Sequence, residues 1–319
     1  MTFNDEVACQ IETGLSIEGA VQSAALLDIL QKLDDESLEV RENEDGAFEF
    51  RGKRKGFAVT RDEQIFLPID NVETPTKWRK LPPEFTEAIA LTNLCVSGDD
   101  SQFVFTCIHL HPEYIEACDN FQLLRFKMKF GLKNPVLVRG TSLKDIAALP
   151  VPMDEVALTK SWMHFRNAKG LQYSCRRYAE DYPDLNRLLE SDGHAMVLPR
   201  GAAKASERAA IFATDGAVAS QIQVKLAEGK MRIKGEGTLG WYKEVSKVVY
   251  DGPPLMFWIS PSLLTQISEK HQEAEISEDK LVVSGGKWTY VTVLSAEEAK
   301  AAPEPEESEE KPKQKRSKE

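Results

Sequence analysis

Three stretches of the chain share one pattern of apolar and polar positions. SAALLDIL (Ser23–Leu30), TSLKDIAAL (Thr141–Leu149) and PSLLTQIS (Pro261–Ser268) repeat leucine and isoleucine three and four positions apart, which is the spacing of one helix face. A short apolar segment precedes each (LSIEGAVQ, NPVLVRG, PLMFWIS) and predicts a strand. After each helix an apolar/charged alternation predicts another, in SLEVREN from Ser37, EVALTKS from Glu155 and EAEISED from Glu273. Two further strands follow every time: AFEFRGK and GFAVTRD, SWMHFRN and LQYSCRR, KLVVSGG and WTYVTVL. The turn residues of NEDG, NAKG and SGGK separate them.

Leu26, Leu143 and Leu263 align, so the unit recurs at about 120 residues, far longer than a solenoid repeat. A second kind of unit fills the gaps. LPPEFTEAIALTNLCV (Leu81–Val96) predicts a helix with Pro at its start and is followed by strands FVFTCIHL, YIEACD and LLRFKMKF. LPRGAAKASERAAIFA (Leu198–Ala213) precedes SQIQVKLAEG, KMRIKGEG and YKEVSKVVY. Paired, the two kinds make an α+β domain of two helices on antiparallel sheets. The expected divisions are residues 1–80 as the second half of an N-terminal domain, 81–193 as a central domain, 194–295 as a C-terminal domain and 296–319 as a tail. A unit of the second kind is expected to open the chain, and Met1–Thr13 matches only its final strand. The helix around Leu26 is then expected to show an exposed apolar face.

With 42% hydrophobic residues the chain is expected to fold in more than one core, and no apolar run approaches a membrane span. Its 5 cysteines are scattered and never form a CxxC pair, which points to a reduced, cytoplasmic setting with neither a disulfide framework nor a zinc ribbon. A net charge of −11 weighs against wrapping nucleic acid broadly, but one basic face on an acidic molecule remains compatible with it. The tail, AEEAKAAPEPEESEEKPKQKRSKE, is too polar to build a core and is expected to be disordered.

EACDNFQLL (Glu116–Leu124), RRYAEDYPDLNRLL (Arg176–Leu189) and ERAAIFATD (Glu207–Asp215), in this order across a three-fold repeat, resemble the bacterial-type DNA sliding clamp, the β subunit of DNA polymerase III. The resemblance covers essentially Thr2–Leu294 and implies repeated clamp domains in an arc that dimerises head to tail into a ring, helices inside and sheet outside. It implies a homodimer without cofactor or metal that encircles double-stranded DNA without reading sequence. It also implies that linear peptide motifs of DNA polymerase, clamp loader and other clients dock on it.

Encirclement needs only weak attraction to phosphates, because tight contacts would stop sliding. Lys32, Lys144, Arg200, Lys204, Arg208 and Lys270 lie in or beside predicted repeat helices and are the candidate DNA-facing cations. A solvated helix residue is the alternative reading of any one of them. Phe103, expected at the start of a strand, matches a family position where an aromatic touches DNA. The positions matching the client-peptide cleft are Phe105, Cys118, Asn120, Phe121, Gln122, Leu123, Leu189, Val291, Val293 and Leu294. Where members commonly read TDGHRL this chain reads CDNFQL, which alters the shape and polarity of that groove. The seam between subunits is expected to pair edge strands, with Phe57 and Val59 meeting Ile211 and Phe212. A clamp-derived fragment that binds clients without closing a ring is the second reading.

Catalysis has little to rest on. His109 and His111 share a strand face without a placed third ligand, and Cys118, Asp119 and His164 fall into no ordered nucleophile–base pattern. The chain carries no phosphate loop, HExxH or GxSxG. A non-enzymatic protein is expected.

Overall fold

In the computed structural model, residues 1–64, 69–213 and 221–296 are described. Six helices occur among them: α1 (Ser23–Leu30), α2 (Phe85–Thr92), α3 (Gly140–Ala148), α4 (Asn186–Leu189), α5 (Ala202–Ala210) and α6 (Pro261–Lys270). The chain divides into two compact units, Met1–Asp184 and Leu185–Glu319. The three-domain division is carried forward as a proposal. The charged tail from Glu297 lies outside the described residues.

In the first unit α2 and α3 pack together. α2 buries Phe85, Ala88, Ile89, Leu91 and Thr92, one continuous face at helical spacing. The Phe85 ring lies 5.5 Å from Phe130 and 5.4 Å from Phe165, so the helix is anchored on strand Trp162–Arg166 and on the segment that follows strand Gln122–Lys127. Burying an aromatic or isoleucine side chain of this kind contributes about 1.5–3 kcal/mol. α3 turns Ser142, Leu143 and Ile146 inward, and the Tyr173 hydroxyl donates to the Ser142 carbonyl at 3.0 Å.

The strands beneath them are antiparallel throughout. Gln122–Lys127, Tyr114–Cys118, Cys107–Leu110 and Val136–Arg139 lie side by side, and Val136–Arg139 meets the end of Gln172–Tyr178. The sheet continues through Trp162–Arg166 and Glu155–Leu158 to Arg79–Lys80. Val7–Gln10 pairs with the other side of Gln172–Tyr178, and Thr2–Phe3 pairs with Val7–Gln10. Glu39–Glu42, Phe48–Arg51 and Gly56–Val59 form a separate three-stranded sheet.

In the second unit the two principal helices again pack side by side. α5 buries Ala202, Ala205, Ser206 and Ala209, and the Ser206 hydroxyl donates to the Pro261 carbonyl of α6 at 2.9 Å. Pro261 opens α6 where a missing N–H costs nothing, and Leu264 and Ile267 continue its buried stripe. One sheet runs Val249–Tyr250, His194–Val197, Glu273–Ile276, Lys280–Ser284, Trp288–Val293. A second runs Gly240–Lys247, Lys230–Gly237, Ile222–Ala227, Leu255–Ile259.

The structure departs from the sequence pattern in three places. LSIEGAVQ forms no strand: Gly19 sits at φ +147, and a Cβ there would come within 2.9 Å of Phe48. Phe103 is not at a strand start but within a 3-10 segment, Asp100–Thr106, opened when the Asp99 side chain accepts from Ser101 N at 2.9 Å. YKEVSKVVY breaks at buried Val248, after which Val249–Tyr250 changes sheet. By contrast, α1 agrees with expectation: it buries no side chain, and Leu27 and Leu30 are 55% and 41% exposed, the apolar face expected around Leu26.

Candidate nucleic-acid and partner surfaces

On α5 the buried stripe is made of small residues, which forces the long side chains outward. Lys204 and Arg208 are exposed, Arg200 lies just before the helix and Lys270 occupies the last turn of α6. In the first unit Lys144 is exposed on α3, and Lys32 lies exposed just past α1. Among the described residues, Lys32, Lys144, Arg200, Lys204 and Lys270 enter no ion pair, so their charge is available to a ligand. Arg208 is different. Its guanidinium donates to the Glu244 carboxylate at 2.5 Å and to the Tyr242 hydroxyl at 2.7 Å; the Tyr242 hydroxyl's own bond to Glu244, and then Arg208, hold that carboxyl below the usual range. Phe103 is engaged too: its ring meets Tyr178 edge-on at 4.8 Å and carries the Arg139 guanidinium 4.8 Å above it.

The apolar candidates separate by depth. In the first unit Cys118 and Leu123 are buried, Phe105 is half-buried in the 3-10 segment, and Asn120 and Phe121 form the tip of a hairpin. Asp119 Oδ1 shapes that tip by accepting from Phe121 N at 2.7 Å and Gln122 N at 2.8 Å. The Gln122 amide donates to the Leu94 carbonyl at 2.8 Å and to Asp119 at 3.0 Å, which leaves Phe121, 59% exposed, standing over a fixed base. In the second unit Val291 and Leu294 are buried and Val293 is 44% exposed. Leu189, at the end of α4, lines an open depression of about 630 Å³ together with Met196, Val197 and Val282.

Of the seam candidates, Phe57 and Val59 lie on an edge strand, whereas Ile211 and Phe212 lie in the turn after α5 and on no strand. Gly56–Val59 is an outer strand of its sheet, and Phe57 stacks on Phe50 across the ladder with centroids 4.7 Å apart. Ile211, 62% exposed, follows α5 directly, and Phe212 stacks against Tyr242 of Gly240–Lys247, also an outer strand. That second edge was not singled out from sequence. Trp241, Lys243, Val245 and Lys247, two positions apart and all exposed, share one face of that strand.

The residues that invited a catalytic reading are tied into structural networks. His109 Nδ1 lies 2.8 Å from Glu116 Oε1, and Arg125 closes on Glu116 Oε2 at 2.7 Å and 2.6 Å. His164 is fully buried between Ser174 at 2.8 Å and Thr159 at 3.0 Å, and burial lowers its pKa to about 4. Burial pushes the Cys118 thiol up to about 11, so it is not a thiolate at neutral pH. Among the described residues no group of three His, Cys, Asp or Glu side chains is placed to hold a metal. No described helix is long and apolar enough to cross a membrane.

No family model matches the chain, and no curated protein does. Solved structures do. The DNA polymerase III subunit beta from Pseudomonas aeruginosa superposes with a TM-score of 0.74 at 16% identity, covering 91% of this chain and 86% of that one. The fold is that of a bacterial sliding clamp. A Pseudomonas aeruginosa sliding clamp bound to griselimycin matches with a TM-score of 0.75 at 16% identity, covering 91% and 85%. The DNA polymerase III beta chain of Streptococcus pneumoniae matches at 0.71 and 16%, covering 85% and 78%. At such identity the clamp fold is carried by layering and strand order, while few individual side chains are shared.

Proposed function

We propose that the chain is a DNA sliding clamp: a non-enzymatic processivity factor that dimerises into a ring, encircles duplex DNA and tethers a polymerase and other clients. The observation that carries the reading is the clamp fold over 91% of the chain, combined with exposed cations on its helices that enter no ion pair among the described residues. A few such charges give weak, sequence-independent attraction to phosphates, and sliding requires that weakness. Phe121 on its hairpin tip and half-exposed Val293 are the proposed apolar contacts for client peptides, each on its own unit. Phe57, Val59, Ile211 and Phe212 are the proposed seam. A cytoplasmic replication protein fits this assignment.

α1 favours a second reading, a clamp-like protein that binds clients without closing, because the helix leaves its apolar face uncovered. Light scattering joined to retention on a nicked circular plasmid separates the two. A dimer that stays on the circle and runs off after linearisation supports the ring. A monomer that is not retained, yet binds client peptides, supports the second reading.

A further inference from the structure

The sheet made of Gly240–Lys247, Lys230–Gly237, Ile222–Ala227 and Leu255–Ile259 has two unlike faces. Strand alternation sends Ile222, Val224, Leu226, Met231 and Ile233 inward, on the side packed against α5. The other face carries Lys225, Lys230, Arg232, Lys234, Lys243 and Lys247 against one strand carboxylate, Glu236, which binds Lys234. The register places Lys225 opposite Arg232, Lys234 opposite Lys243, and Lys230 opposite Lys247.

Like charges directly opposite each other in an antiparallel pair repel. Three such pairs on one face, in a chain of net charge −11, cannot be explained as a solvated background. Apart from Lys234 these cations enter no ion pair among the described residues. Two indoles share the face: Trp241, 61% exposed and opposite Glu236, and half-buried Trp258, opposite Gln223.

We infer that this face is a binding site for single-stranded nucleic acid. Alternate residues along a strand are about 6.8 Å apart and neighbouring strands about 4.8 Å, so the cations form a grid on which an extended phosphodiester chain can track. Exposed indoles beside such a grid stack on unpaired bases, whose faces a duplex keeps covered. The site lies on the side of the sheet opposite α5, so it is separate from the helix-borne cations proposed to meet duplex DNA. A seam formed along the backbone edge of Gly240–Lys247 leaves this face open.

Fluorescence anisotropy of the full-length chain with labelled oligothymidylate and oligouridylate, at low and raised salt, tests the site. Binding of either supports it, and the better of the two identifies the sugar. Lys230→Glu combined with Lys247→Glu is expected to weaken binding at least about tenfold and to flatten the salt slope by roughly 0.7 log unit for each phosphate no longer neutralised. Trp241→Ala is expected to weaken it about tenfold with the salt slope retained. Lys204→Glu with Lys270→Glu, on the helices, should leave oligonucleotide affinity unchanged while reducing retention on duplex circles. Because Trp241 is exposed, its variant should melt as the parent does, and that rules out misfolding as the cause of weakened binding.

The inference is overturned if the helix variants abolish oligonucleotide binding and the face variants do not. It is equally overturned if the full chain binds only after Glu306, Glu307, Glu309 and Glu310 are changed to Gln, since the acidic tail is then the occupant of the face.

Discussion

Gly235 lies so close beneath α5 that a Cβ built on it would stand 2.0 Å from the Ala209 carbonyl oxygen. The sheet and the last turn of the helix meet backbone to backbone, with Ala209 fully buried between them. Gly235→Ala must push the helix end away, because backbone cannot rotate aside as a side chain can. The expected loss is about 1–3 kcal/mol, read from the urea midpoint of the second unit's unfolding, with little change for Gly98→Ala, where a Cβ meets nothing within 4 Å.

Glu116 is 1% exposed and held by Arg125 and His109. Arg125→Met removes the stronger partner and strands a carboxylate in the sheet. A loss of about 3–5 kcal/mol is expected in urea unfolding, and the double variant Arg125→Met with Glu116→Gln should recover part of it.

His164 binds its proton more weakly when folded, with a pKa of about 4, than in the unfolded chain at about 6.5. Burial is the larger cause, and Glu73 opposes it. Between those values the unfolded state holds the extra proton, so stability falls as pH drops from about 6.5 to 4, by up to about 3 kcal/mol. His164→Gln should flatten the pH dependence of the urea midpoint within that window and leave it unaltered above pH 7.

Helix periodicity was legible in the chain because it is local. SAALLDIL, TSLKDIAAL and PSLLTQIS each contain or nearly coincide with an observed helix, and strands form at Glu155, Trp162, Lys280 and Trp288, where they were expected. What depended on distant partners was not legible. LSIEGAVQ has a strand's composition, but among the described residues it joins no ladder, and Ala20 accepts a single backbone bond from Asp62 N. Phe103 has the character of a strand residue, yet Asp99 caps a 3-10 turn through it. Arg208 reads as a solvent-facing helix cation until strand Gly240–Lys247 brings Glu244 to it. The basic sheet face was hidden because its charges are spread over three strands and assembled only by register.

Phe121 contributes its ring to the surface and little to the core, so Phe121→Ala should leave thermal stability within about 0.5 kcal/mol. Affinity for a client peptide is expected to fall about tenfold or more in calorimetric titration, as for loss of an anchor from an apolar groove. A change in affinity smaller than twofold would remove the hairpin tip from the proposed client surface.

Ile211→Asp places a charge on a half-open apolar edge without disturbing the buried stripe of α5. Sedimentation should show the monomer fraction rising with folding unaffected, and the combination with Phe57→Asp should abolish the dimer. Unchanged sedimentation for both variants would exclude these strands as the seam.

The chain enters the sheet of the first unit through Val7–Gln10 and re-enters it through Arg79–Lys80, with three strands between these two points of attachment. These two attachments lie roughly 19 Å apart by strand spacing, and between them Asn71 and Glu73 bind back to the plate at Trp162 and Ser161. A flexible bridge of about ten residues spans that gap, so replacing the segment that carries α1 costs the plate its bonds to Asn71 and Glu73 without breaking a strand pair of the plate.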